Sequence, residues 1–374
     1  MTRDQRLVAA FATLAVLALG VVGAGMAFQG PTPVPAVSRD VPIGPDKTFT
    51  LQFVGDTSLG DEVQNQIDRR GIGYDWPFDA VRSSTTDADF AIAVSDTPIS
   101  TVTAPFNPAK RYSYSSRPEA AGAMARAGID AVQLANNHVY DTGPVGLADT
   151  IANLDTAGIA GIGAGPDLAR AEQPLVLRTE VGTVGIVAMG ESFGDRAAEN
   201  AGGTLVINPV TVRRGAALAR AAGADWVIAF VHWGENYQPV NPQQRAAAQE
   251  FAAAGYDMVV GSGPHTAQPI ELIGSMPVVY SVGNFVFGTP GRWAANGVAG
   301  QGLVVEVALA RDRAPQLSVR CLLTDNAVVG YQPRPCDAAQ ARAVLPTVAP
   351  ELEIQDDTGV LPCPGCFPRR GPEA

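Results

Sequence analysis

The chain has 374 residues, of which 46% are hydrophobic and 17% are charged, and its formal net charge at pH 7 is −11. This composition predicts a globular protein with one sizeable core or two smaller ones, and 40 Gly with 29 Pro indicate many loops. A protein that binds nucleic acid along a broad surface is normally basic, so the acidic balance argues against a nucleic-acid partner.

The N-terminus carries two arginines in MTRDQR and then runs from Leu7 to Phe28 without a charge. Such a run is long enough to cross a bilayer as a helix, and the basic flank keeps the N-terminus inside. We therefore predict a membrane-anchor helix in residues 1–28 and a single-pass protein of the cell membrane with its domain outside the cytoplasm. The alternative is a signal sequence cleaved after Ala27, which would give a secreted protein. Residues 29–48 then predict a Pro-rich linker.

From residue 49 onward, short β-branched apolar runs alternate with Ala-rich segments of helical spacing. Strands that alternate with helices predict an α/β layered fold with buried, largely parallel strands. The runs GLVVEVALA and QLSVRCLL after Gly300 predict a closing hairpin of edge strands. We place this domain at residues 49–330 and a Cys- and Pro-rich C-terminal tail at residues 331–374.

All four cysteines lie in the last part of the chain. An even number of cysteines outside the cytoplasm predicts two disulfides, with Cys321–Cys336 and Cys363–Cys366 as the expected pairs. A zinc site is the competing interpretation because CxxC is a common half-site. Fourteen residues separate the other two cysteines, however, and no histidine lies nearby. The pattern therefore favours disulfides.

Polar side chains follow the predicted strands, at the points where these strands end. They are Asp56, Asp96, Asn136, Asn137, His138, His232, Glu235, His265 and Asn284, a set that includes all three histidines of the chain. The carboxyl ends of strands in an α/β sheet meet at one crevice, so we expect these side chains to converge there. Histidine, aspartate and asparagine are metal ligands, and the alternative for any one of them alone is turn or helix-cap chemistry.

The segments FVGDTSLG, LANNHVYDTGPVGLADTIANLDTAGIAGIGAG, VHWGENYQP and VVGSGPHTAQPIE, with VVYSVGNFVF, resemble the CapA family over about residues 49–290. That family is associated with poly-γ-glutamate capsule synthesis and export. It is in turn similar to the calcineurin-like metallophosphoesterases. The resemblance therefore implies a four-layered α/β/β/α sandwich and a site for one or two divalent ions, namely Mn, Zn or Fe.

The resemblance also implies roles for individual residues. The implied metal ligands are Asp56, Asp96, Asn137, His232 and His265. His138 would stabilise or protonate the reacting group, and Asp141 would orient His138. The expected substrate-binding residues are Asn136, Glu235 and Asn284, together with a local basic patch of Lys110, Arg111 and Arg117. The alternative for that patch is a solvated loop.

Departures from the family pattern bear on the number of metal ions. Val94 stands at the bridging-ligand position, and Gly263 replaces one histidine of the usual His-Pro-His. In HWGEN the family's glutamate falls at Asn236, one place after Glu235. A complete two-metal catalyst is therefore not expected. A single ion held by Asp56, Asp96 and either His265 or His232 remains the prediction.

Taken together, the sequence predicts a protein that acts in synthesis, export or attachment of an anionic cell-surface polymer such as poly-γ-glutamate. Its expected partners are that polymer and other membrane proteins of a capsule or envelope assembly. Any catalysis would be metal-dependent hydrolysis or transfer at an amide or phosphoester. The alternatives are an exported metallophosphoesterase with an unrelated substrate and a non-catalytic polymer-binding or scaffold protein.

Overall fold

The structure is a computed structural model that describes residues 36–191, 201–288 and 290–368. Two β-sheets lie at the centre of its fold. The strands are β1 (Val37–Asp40), β2 (Thr48–Thr57), β3 (Phe90–Ser95), β4 (Ala131–Gln133), β5 (Ala160–Ile162), β6 (Ala164–Gly165), β7 (Leu175–Thr179), β8 (Gly182–Gly190), β9 (Gly203–Thr204), β10 (Trp226–His232), β11 (Met258–Ser262), β12 (Ile270–Ile273), β13 (Met276–Val279), β14 (Gln301–Ala310), β15 (Gln316–Leu323), β16 (Arg334–Pro335), β17 (Glu353–Gln355) and β18 (Thr358–Leu361).

The helices connect these strands and cover the sheets. They are α1 (Asp61–Arg70), α2 (Ser83–Thr86), α3 (Glu119–Arg126), α4 (Gly143–Thr156), α5 (Leu168–Ala171), α6 (Pro209–Ala221), α7 (Pro242–Ala253), α8 (Arg292–Asn296), α9 (Asn326–Val329) and α10 (Ala338–Val348). Within the described ranges, no helix has the length and hydropathy needed to span a membrane. The predicted anchor in residues 1–28 lies outside the described residues.

Within each sheet, the strands whose ends carry the polar residues run parallel to one another. The larger sheet has the order β17-β18-β15-β14-β2-β3-β4-β5, with β16 beside β15, and β2 to β5 are parallel. The smaller sheet has the order β1-β7-β8-β10-β11-β13-β12, and β8, β10, β11 and β13 are parallel. Antiparallel strands complete both sheets. The predicted α/β class is confirmed.

The two sheets pack face to face, as the alternation of side chains along β10 shows. Trp226, Ile228 and Phe230 belong to the core between the sheets, whereas the residues between them pack against α6 and α7. Phe230 meets Phe53 of β2 edge to face, with ring centroids 5.3 Å apart. His232 follows with the same period of two, so its side chain also points between the sheets.

A bulge in β2 turns its last residues toward the other sheet. Phe53 pairs with Ile92 and Asp56 pairs with Val94, so β2 uses three residues where β3 uses two. Phe53 and Val94 face the core between the sheets, whereas Val54 packs on the outer side. The additional residue therefore places Asp56 on the inner face, where regular alternation would have put it outside.

Helices cover the outer face of each sheet, which gives four layers. Helices α3 and α4 pack on the larger sheet, and α6 and α7 pack on the smaller one. Both α6 and α7 begin at a capping box, with Asn208 and Asn241 as N-caps followed by Pro209 and Pro242. An asparagine cap followed by proline is a strong start signal because neither residue favours a helix interior.

The ends of the domain differ from the sequence-based expectation. Residues 37–40, expected in the linker, pair as β1 with β7, because Val37 and Val41 pack against the core. The predicted β14–β15 hairpin forms, but neither strand is an edge strand. Residues after 331 add β16 and β18 beside β15, and β2 flanks β14. The predicted disulfides Cys321–Cys336 and Cys363–Cys366 are confirmed.

Candidate functional site

A buried cluster of two carboxylates and a histidine lies where β2, β3 and β11 end. The side chains are those of Asp56, Asp96 and His265, and one ligand atom from each lies within 4.8 Å of the others. Nδ1 of His265 is 3.1 Å from Oδ2 of Asp56, and Nδ1 of His232 is 3.7 Å from Oδ1 of the same carboxylate. Asp56 at the end of β2 in the larger sheet thus lies beside His232 and His265 at the strand ends of the smaller sheet.

The two carboxylates of this cluster fit a divalent cation. All four oxygens of Asp56 and Asp96 are buried, and among the described residues none of them accepts a hydrogen bond of good geometry. Burial raises the pKa of Asp96 to about 7, an effect that nearby His138 opposes and the neighbouring charge of Asp56 reinforces. Adjacent buried carboxylates without hydrogen bonds are unfavourable, and a bound cation would satisfy their oxygens. Together with the imidazole of His265, these groups form a donor set suited to a transition metal.

The backbone and one neighbouring amide hold His265 in place. This residue has a φ of +58°, and its carbonyl oxygen accepts a hydrogen bond of 2.9 Å from Nε1 of Trp293. Its Nδ1 lies 2.9 Å from Oδ1 of Asn284, which is 1% exposed. Asn284 therefore orients His265 through Oδ1, and its expected role in substrate binding stays a prediction. Burial lowers the pKa of His265, but its ion pair with Asp56 outweighs burial and raises the pKa to about 9.

Two positions at which the resemblance implies metal ligands cannot supply one. Val94 is fully buried in the core between the sheets. Gly263 has a φ of +111°, and a Cβ there would lie 2.6 Å from the carbonyl oxygen of Trp233. A side chain at 263 would therefore collide with the backbone unless the chain moved.

The remaining donors of the expected second metal site form an incomplete set. Oδ1 of Asn137 is buried without a hydrogen bond, which leaves it available as a ligand. Nδ1 of His232 lies 3.2 Å from Oγ of Ser262, and burial lowers the pKa of His232 to about 4. His232 is therefore neutral at pH 7. The donors present fit one ion at Asp56, Asp96 and His265 better than two.

His138 and Asp141 form a hydrogen-bonded pair beside this cluster. Nδ1 of His138 is 2.7 Å from Oδ2 of Asp141, and the backbone N–H of Tyr114 donates to the same oxygen at 2.8 Å. Lys110 donates from Nζ to the other oxygen of Asp141 and to the carbonyl of Asn137. Asp141 thus has the geometry expected for a residue that orients His138. The ammonium group of Lys110 already has two partners in the protein, Asp141 and the carbonyl of Asn137.

Asn136 shapes the turn that presents Asn137 and His138. Its Nδ2 donates to the carbonyl of Ser95 at 2.8 Å, and its Oδ1 accepts from the backbone N–H groups of His138 and Val139 at 3.0 and 2.9 Å. Asn136 is fully buried. We expected it to bind substrate, but its contacts give it a structural role because both ends of its amide are already hydrogen-bonded.

A pocket of about 190 Å³ opens over the buried groups. Asn137, His138 and His265 contribute to its wall, and exposed Arg111 and Arg292 lie at its rim. No Asp or Glu is among its described lining residues, although the chain as a whole is acidic. Its lining also includes the following residues without an expected role: Tyr112, Tyr114, Asn236, Tyr237, Phe287 and Arg292. The basic and aromatic residues of KRYSYS could have indicated the first two; nothing in the sequence pattern indicated Arg292.

Arg117 and Glu235, like Asn136 and Asn284, are expected substrate-binding residues that are not among the described lining residues of this pocket. Arg117 makes two hydrogen bonds to the carboxylate of Asp68 on α1, at 2.9 and 2.8 Å, which holds its guanidinium away from the site. Glu235 is exposed on the turn after β10, and Asn236 lines the pocket instead. The basic contribution of the loop thus comes from Lys110 and Arg111.

The layered fold and this site define an α/β protein with a buried carboxylate–histidine cluster beneath a cationic pocket. A family model described as bacterial capsule synthesis protein PGA_cap matches residues 50–289. The chain belongs to this family, so the predicted resemblance is confirmed.

Relatives whose names refer to capsule, PGA or polyglutamine synthesis match about 65% of this chain. The chain is 29% identical over 257 residues to the capsule biosynthesis protein CapA of Bacillus anthracis, covering 65% of this chain and 60% of that protein. It is 28% identical over 247 residues to the PGA biosynthesis protein CapA of Bacillus subtilis, with coverages of 65% and 64%. A probable polyglutamine synthesis accessory protein of Mycobacterium tuberculosis is 30% identical over 253 residues, with coverages of 64% and 66%. The match spans less than two thirds of each relative.

Solved structures with some likeness include the NAD nucleotidase of Haemophilus influenzae, with a TM-score of 0.41 and 11% identity over 80% of this chain and 55% of that one. The protein TT1561 of Thermus thermophilus has a TM-score of 0.39 and 12% identity, with coverages of 68% and 93%.

Proposed function

We propose that this chain acts in the synthesis, export or attachment of an anionic cell-surface polymer of the poly-γ-glutamate type. The observation that carries the proposal is the buried Asp56 and Asp96 pair, without hydrogen bonds, beneath a pocket lined by three basic residues and, among the described residues, by no acidic one. The capsule-related names of the relatives support the polymer class. The proposal includes attachment to the cell membrane through residues 1–28, an extracytoplasmic domain, and other membrane proteins of the assembly as partners.

We further propose that the site catalyses metal-dependent hydrolysis or group transfer. A divalent ion held by Asp56, Asp96 and His265 would polarise a carbonyl or phosphoryl oxygen of the substrate. His138 would hold or deliver a proton at the reacting group, with Asp141 fixing the orientation of its ring. Tyr114 packs against that ring at a centroid distance of 4.7 Å, which further restricts its motion. The chain itself thus supplies positioning and proton transfer.

A phosphoester substrate unrelated to capsule polymer is the second candidate. It is favoured by the four-layered arrangement and by the neighbouring Asn137 and His138, which match the Asn-His pair implied by the resemblance to metallophosphoesterases. A non-catalytic polymer-binding protein is the third, favoured by Val94 and Gly263. The metal content of the protein separates the third candidate from the other two.

The test uses the full chain, purified in a mild detergent and incubated with manganese or zinc before its bound metal is counted. We expect one ion per chain, lost in His265→Ala and retained in His138→Ala, the matched control. Two ions would contradict the interpretation of Val94 and Gly263. No ion under any condition would rule out metal-dependent chemistry. With one ion bound, release of products from poly-γ-glutamate and from a phosphodiester probe then distinguishes the first two candidates.

A further inference from the structure

Two exposed arginines share one aromatic ring at the pocket. The guanidinium carbon of Arg111 lies 5.0 Å from the ring centroid of Tyr112, and that of Arg292 lies 4.9 Å from it. Arg111 precedes Tyr112 in the chain, whereas Arg292 begins α8, so the ring joins two segments distant in sequence. Stacking on an aromatic face orients a guanidinium group while its N–H groups remain able to donate.

Neither arginine forms an ion pair within the part of the chain that the structure describes, and no acidic residue lines their pocket there. The carboxylate of Asp61 lies near enough to feel the charge of Arg292, but the two are not in contact as an ion pair. In a chain of net charge −11, two adjacent arginines without a bound carboxylate are suited to an anion from outside.

Arg245 provides the contrast on another part of the surface. Its guanidinium carbon lies 5.4 Å from the ring centroid of Tyr280, and it pairs with Glu271 at 2.5 Å. An arginine that stacks on a tyrosine can therefore also form an ion pair with a carboxylate. What distinguishes the two pocket arginines is that neither has an acidic partner among the described residues.

We propose that Arg111, Tyr112 and Arg292 form an anion clamp, which binds a carboxylate of the polymer while an adjacent part of that polymer reaches the metal-binding cluster. The clamp rests on the proposed function, since it assumes that the pocket receives the polymer. His265 and Asn137 line the same pocket, so one flexible chain can contact both. The planar guanidinium matches a planar carboxylate in two parallel hydrogen bonds, and an exposed rim allows a long chain to enter sideways.

The ligand that fits is therefore an oligo-anion with carboxylates repeated along a flexible chain. A phosphate group could satisfy the same donors, so the shared chemistry is an oxyanion. The two sources are distinguished by probes of equal length: a fluorescent γ-glutamyl oligomer, the same oligomer with its carboxylates amidated, and an inorganic polyphosphate. Binding is measured with the full chain in detergent and EDTA, which removes the contribution of bound metal.

The variants are Arg111→Met, Arg292→Met and their combination, with Arg245→Met as the control that removes an equally stacked arginine elsewhere. We expect each pocket variant to bind the γ-glutamyl oligomer about tenfold more weakly or worse, a loss of about 1.4 kcal/mol, because each substitution removes charge-assisted hydrogen bonds to a carboxylate. Arg245→Met should bind as the unaltered chain does. The amidated oligomer should bind weakly to all. Arg292→Lys should recover only part of the loss because lysine lacks the planar fork.

Unchanged binding in the combined variant would overturn the clamp while leaving the proposed function standing. Preference for polyphosphate over the γ-glutamyl oligomer would overturn the carboxylate assignment. If the unaltered chain binds none of the probes, the clamp and the polymer-directed function both fail. Metal content, measured on the same variants, should not change, which separates loss of the clamp from loss of the cluster.

Discussion

The ammonium group of Lys110 joins two segments of the site, since it donates to Asp141 and to the carbonyl of Asn137. Asp141 is a fully buried carboxylate, and removing the cation leaves one of its oxygens, Oδ1, without the charge that compensates it. We predict that Lys110→Met lowers the free energy of unfolding by about 2 kcal/mol, which urea denaturation would measure.

A double-mutant cycle tests this assignment. Asp141→Asn removes the charge that Lys110 compensates, so Lys110→Met should cost much less in that background. Additive effects in the two backgrounds would contradict a specific pairing of the two residues.

The pH dependence of stability reports on the cluster when metal is absent. The pKa of His265 is about 9 in the folded chain against 6.5 for an ordinary histidine, so its stabilising effect is complete below pH 6.5 and is lost as the pH rises to 9. Asp96, whose pKa is raised from 3.8 to about 7, changes stability in the same direction up to pH 7. His232, whose pKa is lowered to about 4, acts oppositely but only below pH 6.5.

We therefore predict that the chain in EDTA loses stability steadily between pH 6.5 and pH 9, as followed by its urea midpoint. His265→Gln should flatten this dependence because the titrating group is gone. A urea midpoint that rises between pH 6.5 and pH 9 would contradict the raised pKa of His265 in the folded chain.

The sequence predicted the residues of the cluster but only some of the residues around it. Asp56, Asp96 and His265 could be predicted because strand ends meet at one edge, a rule that needs no knowledge of side-chain contacts. Arg292 could not be, because its place at the rim depends on how α8 lies beside the loop of Tyr112. The same holds for Arg117, whose partner Asp68 is 49 residues away.

At the level of elements, the end of β2 depends on a close approach of backbones. Asp56 donates its N–H to the carbonyl of Gly283 at 3.0 Å, and Phe285 donates to the carbonyl of Asp56 at 2.9 Å. A Cβ at Gly55 would lie 1.8 Å from the carbonyl oxygen of Gly283, so a side chain there would force the strands apart.

We predict that Gly55→Ala lowers the free energy of unfolding by about 3 kcal/mol and weakens metal binding, because Asp56 would move with the backbone. Gly73→Ala is the matched control, since a Cβ there meets nothing within 4 Å. Thermal unfolding and metal titration of both variants check the prediction. Equal stability of the two would mean that β2 can shift without strain.

Helices and strands could be predicted where the apolar pattern or a cap in the sequence is strong. The pairing of strands that lie far apart in the chain could not be predicted. The uninterrupted apolar run of β10 indicates a strand buried on both faces, and the caps at Asn208 and Asn241 indicate the starts of α6 and α7. The position of β14 beside β2 requires tertiary pairing. The bulge at Asp56 leaves no signal in residue type, although it decides which way that side chain points.

At the scale of the whole molecule, two disulfides constrain the C-terminal part. Cys321–Cys336 joins β15 to the residue after β16 and closes a separation of 15 residues, whereas Cys363–Cys366 closes one of 3. Loop-closure entropy predicts a loss of about 3 kcal/mol when the first pair is replaced by alanine and about 2 kcal/mol for the second.

Urea unfolding of the two paired variants checks this order. We expect the unaltered chain to lose both contributions in a strong reductant. A larger effect from the short loop than from the long one would contradict the entropic account.

Gly263 also limits the routes by which this site could change. Gly263 has a φ of +111°, and the carbonyl oxygen of Trp233 lies where the Cβ of another residue would be. A histidine at this position therefore cannot act as a ligand unless the backbone around Trp233 also changes. A second metal centre is thus not one substitution away, either for natural selection or for a protein engineer. The practical route to a new activity lies in exchanging residues at the exposed rim, with the single buried cluster retained.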